Sequence, residues 1–312
     1  MTTKIATRDA YGEALVELGK NNPNVVVLDA DLSKSTKTAG FSKAYPDRFF
    51  NIGIAEANMM GIAAGLAASG KTPFASTFAM FATGRPYEQV RNTIGYPKLN
   101  VKIAATHAGL TVGEDGASHQ AIEDISLMRV IPGMTVIVPA DAEETKAAVK
   151  LSAEYHGPVY IRMGRSGVPV IHEQGLTMEW GKAMVLRQGK DVTLVATGIM
   201  VSVAMDAAQQ LAGEGIEAEV VDVPFIKPFD AATISASAKK TGAVVTAEEH
   251  SIIGGLGSAV AEALAEHAPA PLERVGVKDT FGESGTPDAL LKKYGLTAAD
   301  IVEAAKRVLK RK

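Results

Sequence analysis

Short apolar runs alternate along this chain with longer stretches in which apolar residues recur at helical spacing. Asp9 to Gly19 shows that spacing, with Tyr11, Ala14, Leu15 and Leu18 on one face. Asn24–Leu28 (NVVVL) reads as a buried strand and ends in DADLSKST, rich in N-cap and loop residues. Phe49–Ile54 is a second apolar run. The segment after it, EANMMGIAAGLAASG, carries small residues on nearly every face, which predicts a helix packed closely all round. Thr72–Ser76 is a third strand, and Phe78–Ile94 a helix with a break at Gly84 and Pro86. Asn100–Ala105, Thr135–Val138 and Val159–Arg162 read as strands, with a helix at Ala142–Tyr155.

The rhythm breaks between Gly164 and Gly189, where glycines are frequent and helical periodicity is only local. It then restarts. Strands are predicted at Val192–Thr197, Ala218–Val223, Ala243–Ala247 and Arg274–Val277. Helices are predicted at Val201–Ala212, Ala231–Lys239, Gly257–His267, Asp288–Tyr294 and Ala298–Lys310, the last with Thr297 as N-cap. Such alternation predicts an α/β fold in two domains. The expected division is residues 1–172, a linker at 173–188, and residues 189–312.

Composition narrows the class. A chain of 312 residues suits one or two domains, and a net charge of −3 leaves no basic face for nucleic acid. The basic end (Lys306, Arg307, Lys310, Arg311, Lys312) reads as the solvated end of a helix. No apolar run is long enough to span a bilayer and the N-terminus lacks a signal-peptide core. No cysteine occurs, which excludes disulfide and thiolate chemistry and is compatible with a cytoplasmic location.

Candidate chemistry concentrates in THAGLTVGEDGASHQAIED, Thr106 to Asp124. Two histidines (His107, His119) and the carboxylates Glu114, Asp115 and Glu123 are interleaved with Gly109, Gly113, Gly116 and Ser118. A strand running into such a loop marks the carboxyl end of an open α/β sheet, where ligands bind. His107, Asp115 and His119, with Glu114, could be metal ligands, but the spacing matches no compact ligand pair such as HExxH, and the glycines between them suggest a loop shaped around an organic ligand, so no metal ligand is assigned. A polar surface loop is the plain alternative. Glu56, where a strand meets a helix, either favours the helix dipole or serves as a buried acid. Phe78 and Phe81, three apart in a chain with 5% aromatics, are either core packing on one helical face or a platform for a flat ring. Arg8, Ser35 and Arg165 are each ordinary surface residues, or together an anion site. GGLGSA (Gly254–Ala259) lacks dinucleotide spacing and reads as a helix N-terminus needing close approach.

In their order, GIAEANMMG, STFAMF and the histidine loop closely resemble the pyrimidine-binding domain of transketolases. ATRDAYGEAL, DADLSKST and VVDVPFIKPFD extend the resemblance over essentially the whole chain, as the C-terminal half of a full-length enzyme. It implies a thiamine-diphosphate enzyme that moves a two-carbon ketol unit from a ketose phosphate to an aldose phosphate, in the chemistry of the pentose phosphate pathway. Glu56 would bond the ring nitrogen of the cofactor's aminopyrimidine, with Phe78 and Phe81 against that ring. His107 would face the reacting end of the sugar and Asp115 a hydroxyl. His119, Arg8, Ser35 and Arg165 would hold the far end and its phosphate.

The family's Gly-Asp-Gly segment for the diphosphate and Mg²⁺ is absent here. With Met just before ATRD, the expectation is a naturally split enzyme, inactive until an N-terminal partner subunit completes it, in an α2β2 assembly. EEHSIIGGLGSA fits the family pattern but receives no chemical role, only subunit contacts. At Gly84 some relatives carry an aromatic, which leaves more of the ring pocket to Phe78 and Phe81. Related enzymes compete for the same residues. The beta subunits of 2-oxo-acid dehydrogenases resemble GIAE but lack the loop, and deoxyxylulose-phosphate synthase matches only its His119 side. A non-catalytic regulatory partner would not need Glu56, His107, Asp115 and His119 together.

Overall fold

The computed structural model describes residues 3–312. Lys4–Ala6 (β1) leads into Thr7–Asn21 (α1), which buries Ala10, Tyr11, Ala14 and Leu15. Val25–Asp29 (β2) is buried at every position, as expected of a strand covered on both faces. The DADLSKST segment is partly helical: Ser33–Thr36 (α2) forms one turn. The Asp29 carboxylate folds it back, accepting from Leu32 N and Thr36 Oγ1 (both 2.6 Å) and from Thr38 Oγ1 (2.9 Å). Then come Ala39–Ala44 (α3), Phe49–Asn51 (β3), Glu56–Ala68 (α4), Thr72–Phe78 (β4) and Ala79–Thr83 (α5). Lys102–Thr106 (β5), Asp124–Arg129 (α6), Thr135–Ile137 (β6), Ala142–Glu154 (α7), Val159–Arg162 (β7) and Gly167–Pro169 (β8) complete the first half.

Two expectations for this half need correction. α4 does not pack all round within this chain. Met59, Met60, Ala63 and Ala64 are buried, whereas Ala57, Asn58, Gly61, Ile62 and Gly65 are exposed. The break expected at Gly84 and Pro86 is present, but the helix does not begin at Phe78. Phe78 closes β4, α5 ends at Thr83, and after the turn at Gly84–Pro86 the chain rewinds with a π-helical stretch, Gln89–Gly95. Pro86 has no N–H to continue the first helix.

The second half runs Met184–Arg187 (β9), Val192–Ala196 (β10), Met200–Gly213 (α8), Ala218–Asp222 (β11), Phe225–Lys227 (β12), Ala231–Thr241 (α9), Val244–Ser251 (β13), Leu256–His267 (α10), Leu272–Val277 (β14), Pro287–Lys293 (α11) and Ala298–Leu309 (α12). Thr297 caps α12 in a reciprocal capping box with Asp300. The basic end pairs locally, Lys306 with Glu214 and Arg307 and Arg311 with Glu273.

Two sheets result. One has seven strands in the order β12-β6-β7-β5-β4-β2-β3, parallel except for β12; the other has five, β14-β13-β10-β11-β9, parallel except for β9. β1 and β8 form a separate antiparallel ribbon. This is a two-domain α/β protein whose halves are interlocked, since β12 follows β11 of the second sheet yet pairs with β6 of the first. Lys227 fastens the crossing by donating to the carbonyls of Arg129 (2.8 Å) and Ile131 (2.6 Å). Among the described residues no helix is long and apolar enough to cross a membrane.

Candidate active site

The candidate residues converge at the carboxyl ends of β2, β4 and β5. Glu56 is the first residue of α4, 5% exposed, and its Oε1 accepts from Arg85 Nη1 at 2.6 Å. The same guanidinium lies over the ring of Phe81, 4.0 Å from its centroid. Phe81 stacks on Phe78 (5.7 Å, 15° between planes) although Phe78 belongs to a strand, and Phe78 stacks on His107 (3.7 Å, 21°). His119 stands edge-on to Phe81 at 5.3 Å. An unbroken row of contacts therefore joins Glu56 to His107 through Arg85, Phe81 and Phe78.

His107 follows β5 with φ +57°, an uncommon backbone state for a residue with a side chain. Its Nε2 is 3.0 Å from Arg8 Nη1 and its Nδ1 2.8 Å from Thr106 Oγ1. A guanidinium only donates, so Nε2 accepts and Nδ1 carries the proton. Burial, with the charges of Arg8, Arg165, His119 and Lys37, pushes the imidazole down to about 3. His107 is thus neutral at physiological pH. In ¹⁵N spectra its ring is expected to stay uncharged at pH 5, and a transition near the ordinary value of about 6.5 would contradict this arrangement.

Arg8 also donates to the Ser35 carbonyl at 3.1 Å; it is this backbone oxygen, not the hydroxyl, that brings Ser35 to the site. Arg8 Nε is buried without a partner. Arg165 donates to the Val112 carbonyl at 2.6 Å and lies 3.6 Å from Asp115 and 3.8 Å from Glu114. His119 Nδ1 is 2.9 Å from Ser118 Oγ. The loop's histidines and carboxylates are not gathered as a metal-ligand set.

The second half builds this loop from behind, through residues that carried no assigned role. Glu249 Oε1 accepts from Thr111 N at 2.6 Å. The loop passes so close that a side chain at Gly109, where φ is +81°, would run into the Glu249 carboxylate. Glu248 takes the N–H groups of Leu256 (2.7 Å) and Gly257 (2.8 Å). It fills the start of α10 with its own carboxylate, where a dinucleotide phosphate would need those donors. The buried EEH residues thus work inside the chain, while Ile253 in the same loop is exposed. Arg85 was also missed: after Gly84 it reads as one more surface charge, and only the fold turns it back to Glu56.

Residues 3–170 match the family model "Transketolase, pyrimidine binding domain" and residues 181–301 the model "Transketolase, C-terminal domain". The chain belongs to the transketolase family. A solved structure titled "Split gene transketolase, inactive beta4 tetramer" is 64% identical, with a TM-score of 0.93, covering 98% of this chain and 99% of that one. The 6-deoxy-6-sulfo-D-fructose transketolase subunit of Clostridium sp. (strain MSTE9) is 49% identical over 305 residues, 98% of this chain and 95% of its own length. Transketolase from Leishmania mexicana is 28% identical with a TM-score of 0.84, matching all of this chain and 46% of its own. This chain therefore corresponds to the C-terminal half of a single-chain transketolase and resembles the C-terminal subunit of a split one. The family uses thiamine diphosphate with a divalent metal ion.

Proposed function

We propose that this chain is the C-terminal subunit of a two-chain transketolase that passes a two-carbon ketol unit from a ketose phosphate to an aldose phosphate. The observation that carries the reading is the seat of Arg85. A flat cation lies against Phe81 and bonds Glu56, which are the two contacts an aminopyrimidine ring would make. The guanidinium is a stand-in for that ring, and the site fits the pyrimidine end of thiamine diphosphate. When bound, the cofactor supplies the nucleophilic carbon and the electron sink.

The chain's own residues then have distinct tasks. Glu56 holds a proton at its carboxylate against the ring nitrogen, once Arg85 has swung aside. Phe78 and Phe81 would pack against that ring and exclude water from it. Neutral His107 faces the reacting end of the sugar, its Nε2 freed to accept from a hydroxyl when Arg8 turns to the anionic group, and Asp115 binds another hydroxyl. Arg8, whose Nε has an unused donor, joins Arg165 and His119 in holding the remote anionic group, which fixes the reacting carbons, and the Ser35 hydroxyl would have to turn to it to donate as well. Phosphate and sulfonate both suit such forks, and the Clostridium relative is named for a sulfosugar.

The diphosphate and its Mg²⁺ belong to an N-terminal partner carrying the Gly-Asp-Gly segment. The exposed face of α4, with Ile54 at 77% exposure beside it, is the surface offered to a second chain. The split relative titled inactive as a tetramer of beta chains supports the need for that partner. The test mixes this chain with the partner subunit, thiamine diphosphate and Mg²⁺. Donors are xylulose 5-phosphate and 6-deoxy-6-sulfofructose, each with an aldose phosphate acceptor. Transfer from at least one donor is expected only from the mixture. Turnover by this chain alone, or none from the assembled pair, would reject the proposal.

A further inference from the structure

A buried cluster between the two sheets has no part in the reaction proposed above. Glu144 lies in the first turn of α7, Asp222 ends β11, and His172 lies in the connection between β8 and β9. One ligand atom from each lies within 4.8 Å of the others. The His172 side chain is 5% exposed and both carboxylates are fully buried. Glu144 Oε2 accepts from Ala140 N at 2.5 Å, but Oε1 has no partner. Both oxygens of Asp222 and His172 Nε2 also lack a directed hydrogen bond, although Nε2 is only 3.3 Å from Asp222 Oδ2. Buried polar atoms are ordinarily paired, so three unpaired groups converging from three segments call for an occupant.

Asp141 supplies a second, independent feature. Its Oδ1 caps α7 by accepting from Glu144 N (2.9 Å). Its Oδ2 accepts from Ile171 N (2.7 Å) and His172 N (2.8 Å), so the carboxylate is fixed by backbone. The same Oδ2 is 3.1 Å from His172 Nδ1. A carboxylate behind one ring nitrogen, with the other nitrogen turned toward two more carboxylates, is how proteins orient a metal-bound histidine.

We propose that Glu144, His172 and Asp222 form a binding site for one divalent ion of the zinc class, with Asp141 as the residue that orients His172. One imidazole and two carboxylates are a zinc-type donor set, whereas magnesium and calcium take oxygen alone. Ligands at about 2.0–2.2 Å from one ion stand roughly 3.4 Å apart. The His172–Asp222 pair already has that spacing, and a Glu144 oxygen lies within 4.8 Å of both. A bound ion would tie α7, the connection and β11 together, and so the two sheets. Protons are the competing occupants: an imidazolium between Asp141 and Asp222, with a shared proton between Asp222 and Glu144, would satisfy the same atoms.

Equilibrium dialysis of the chelator-stripped full chain against zinc chloride separates the two. About one zinc per chain is expected for the wild type. Affinity should fall at least about 100-fold in His172→Gln and Asp222→Asn, and about 10–100-fold in Asp141→Asn, which removes only the orienting carboxylate. Cobalt in the wild-type chain should give the intense visible bands of a low-coordinate site, absent in His172→Gln. No stoichiometric zinc in the wild type would overturn the proposal. So would zinc binding that His172→Gln leaves unchanged, since His119, His156 or His267 would then be its source. Should a substitution prevent folding, the wild-type stoichiometry and cobalt spectrum decide alone.

Discussion

Replacing Glu56 by glutamine in the assembled two-chain enzyme is expected to lower turnover about 10²–10⁴-fold, the range for loss of a positioned proton carrier. Glutamine matches glutamate in volume and leaves the start of α4 intact, but it cannot hold and return a proton. The fold should survive. The partner lost is Arg85, half-exposed beside a buried carboxylate, and such solvent-screened pairs contribute at most about 1 kcal/mol. The measurement is kcat at saturating thiamine diphosphate and both sugars, with a thermal melt and the cofactor's half-saturation alongside. A kcat within a few-fold of wild type would remove Glu56 from the proton path. A deficit that more cofactor fully restores would leave it a binding contact only.

Local pattern made the alternating strands and helices legible, because their signals lie within a few residues of one another. The capping of α12 by Thr297 was equally plain from LTAAD. Failures came where a distant partner decided the outcome. The strand into Phe78 runs two residues past its expected end, because β5 pairs with it as far as Thr106. β12 is three residues long and finds its neighbour across the domain boundary, so no periodicity marks it. Glu249 grips Thr111 across 138 positions of sequence, and EEH carried no hint of that contact. The site residues were recognisable through their motif order. Their mutual geometry was not: Arg85 on Glu56 and Arg8 on His107 depend on how β2, β4 and β5 lie side by side.

The largest effect on stability is expected at Asp124, which supports the histidine loop from below. Its Oδ2 accepts from Tyr160 Oη (2.6 Å) and Arg162 Nε (2.7 Å), with all three side chains buried. Arg162 Nη2 in turn donates to the carbonyls of Ala121 (3.2 Å), in the loop, and Glu249 (3.0 Å), in the second half. Asp124→Ala leaves that guanidinium buried without its counter-charge, and removing one partner of such a pair costs about 3–5 kcal/mol. A fall of roughly 10 °C in the melting midpoint follows for a chain of this size.

The pH dependence has a definite sign. Burial alone would raise the Asp124 carboxyl, but the charges of Arg162 and His250 and the hydrogen bonds from Arg162 and Tyr160 hold it below its ordinary value. A carboxyl depressed in the folded state adds stability above its unfolded pKa of about 3.9, and that contribution is lost as pH falls through the lower folded value. The gap between wild type and Asp124→Ala should therefore be full at pH 7 and shrink only below about pH 4. Urea unfolding at both pH values measures it, and a gap under about 1 kcal/mol at pH 7 would mean that Arg162 finds water or another partner. Gly109 N donates to the Ala121 carbonyl at 2.8 Å, so the loop that presents His107 is anchored to the same network. If that anchorage sets the site, Asp124→Asn, which keeps the shape and loses the charge, should weaken sugar binding even under conditions where the variant remains folded.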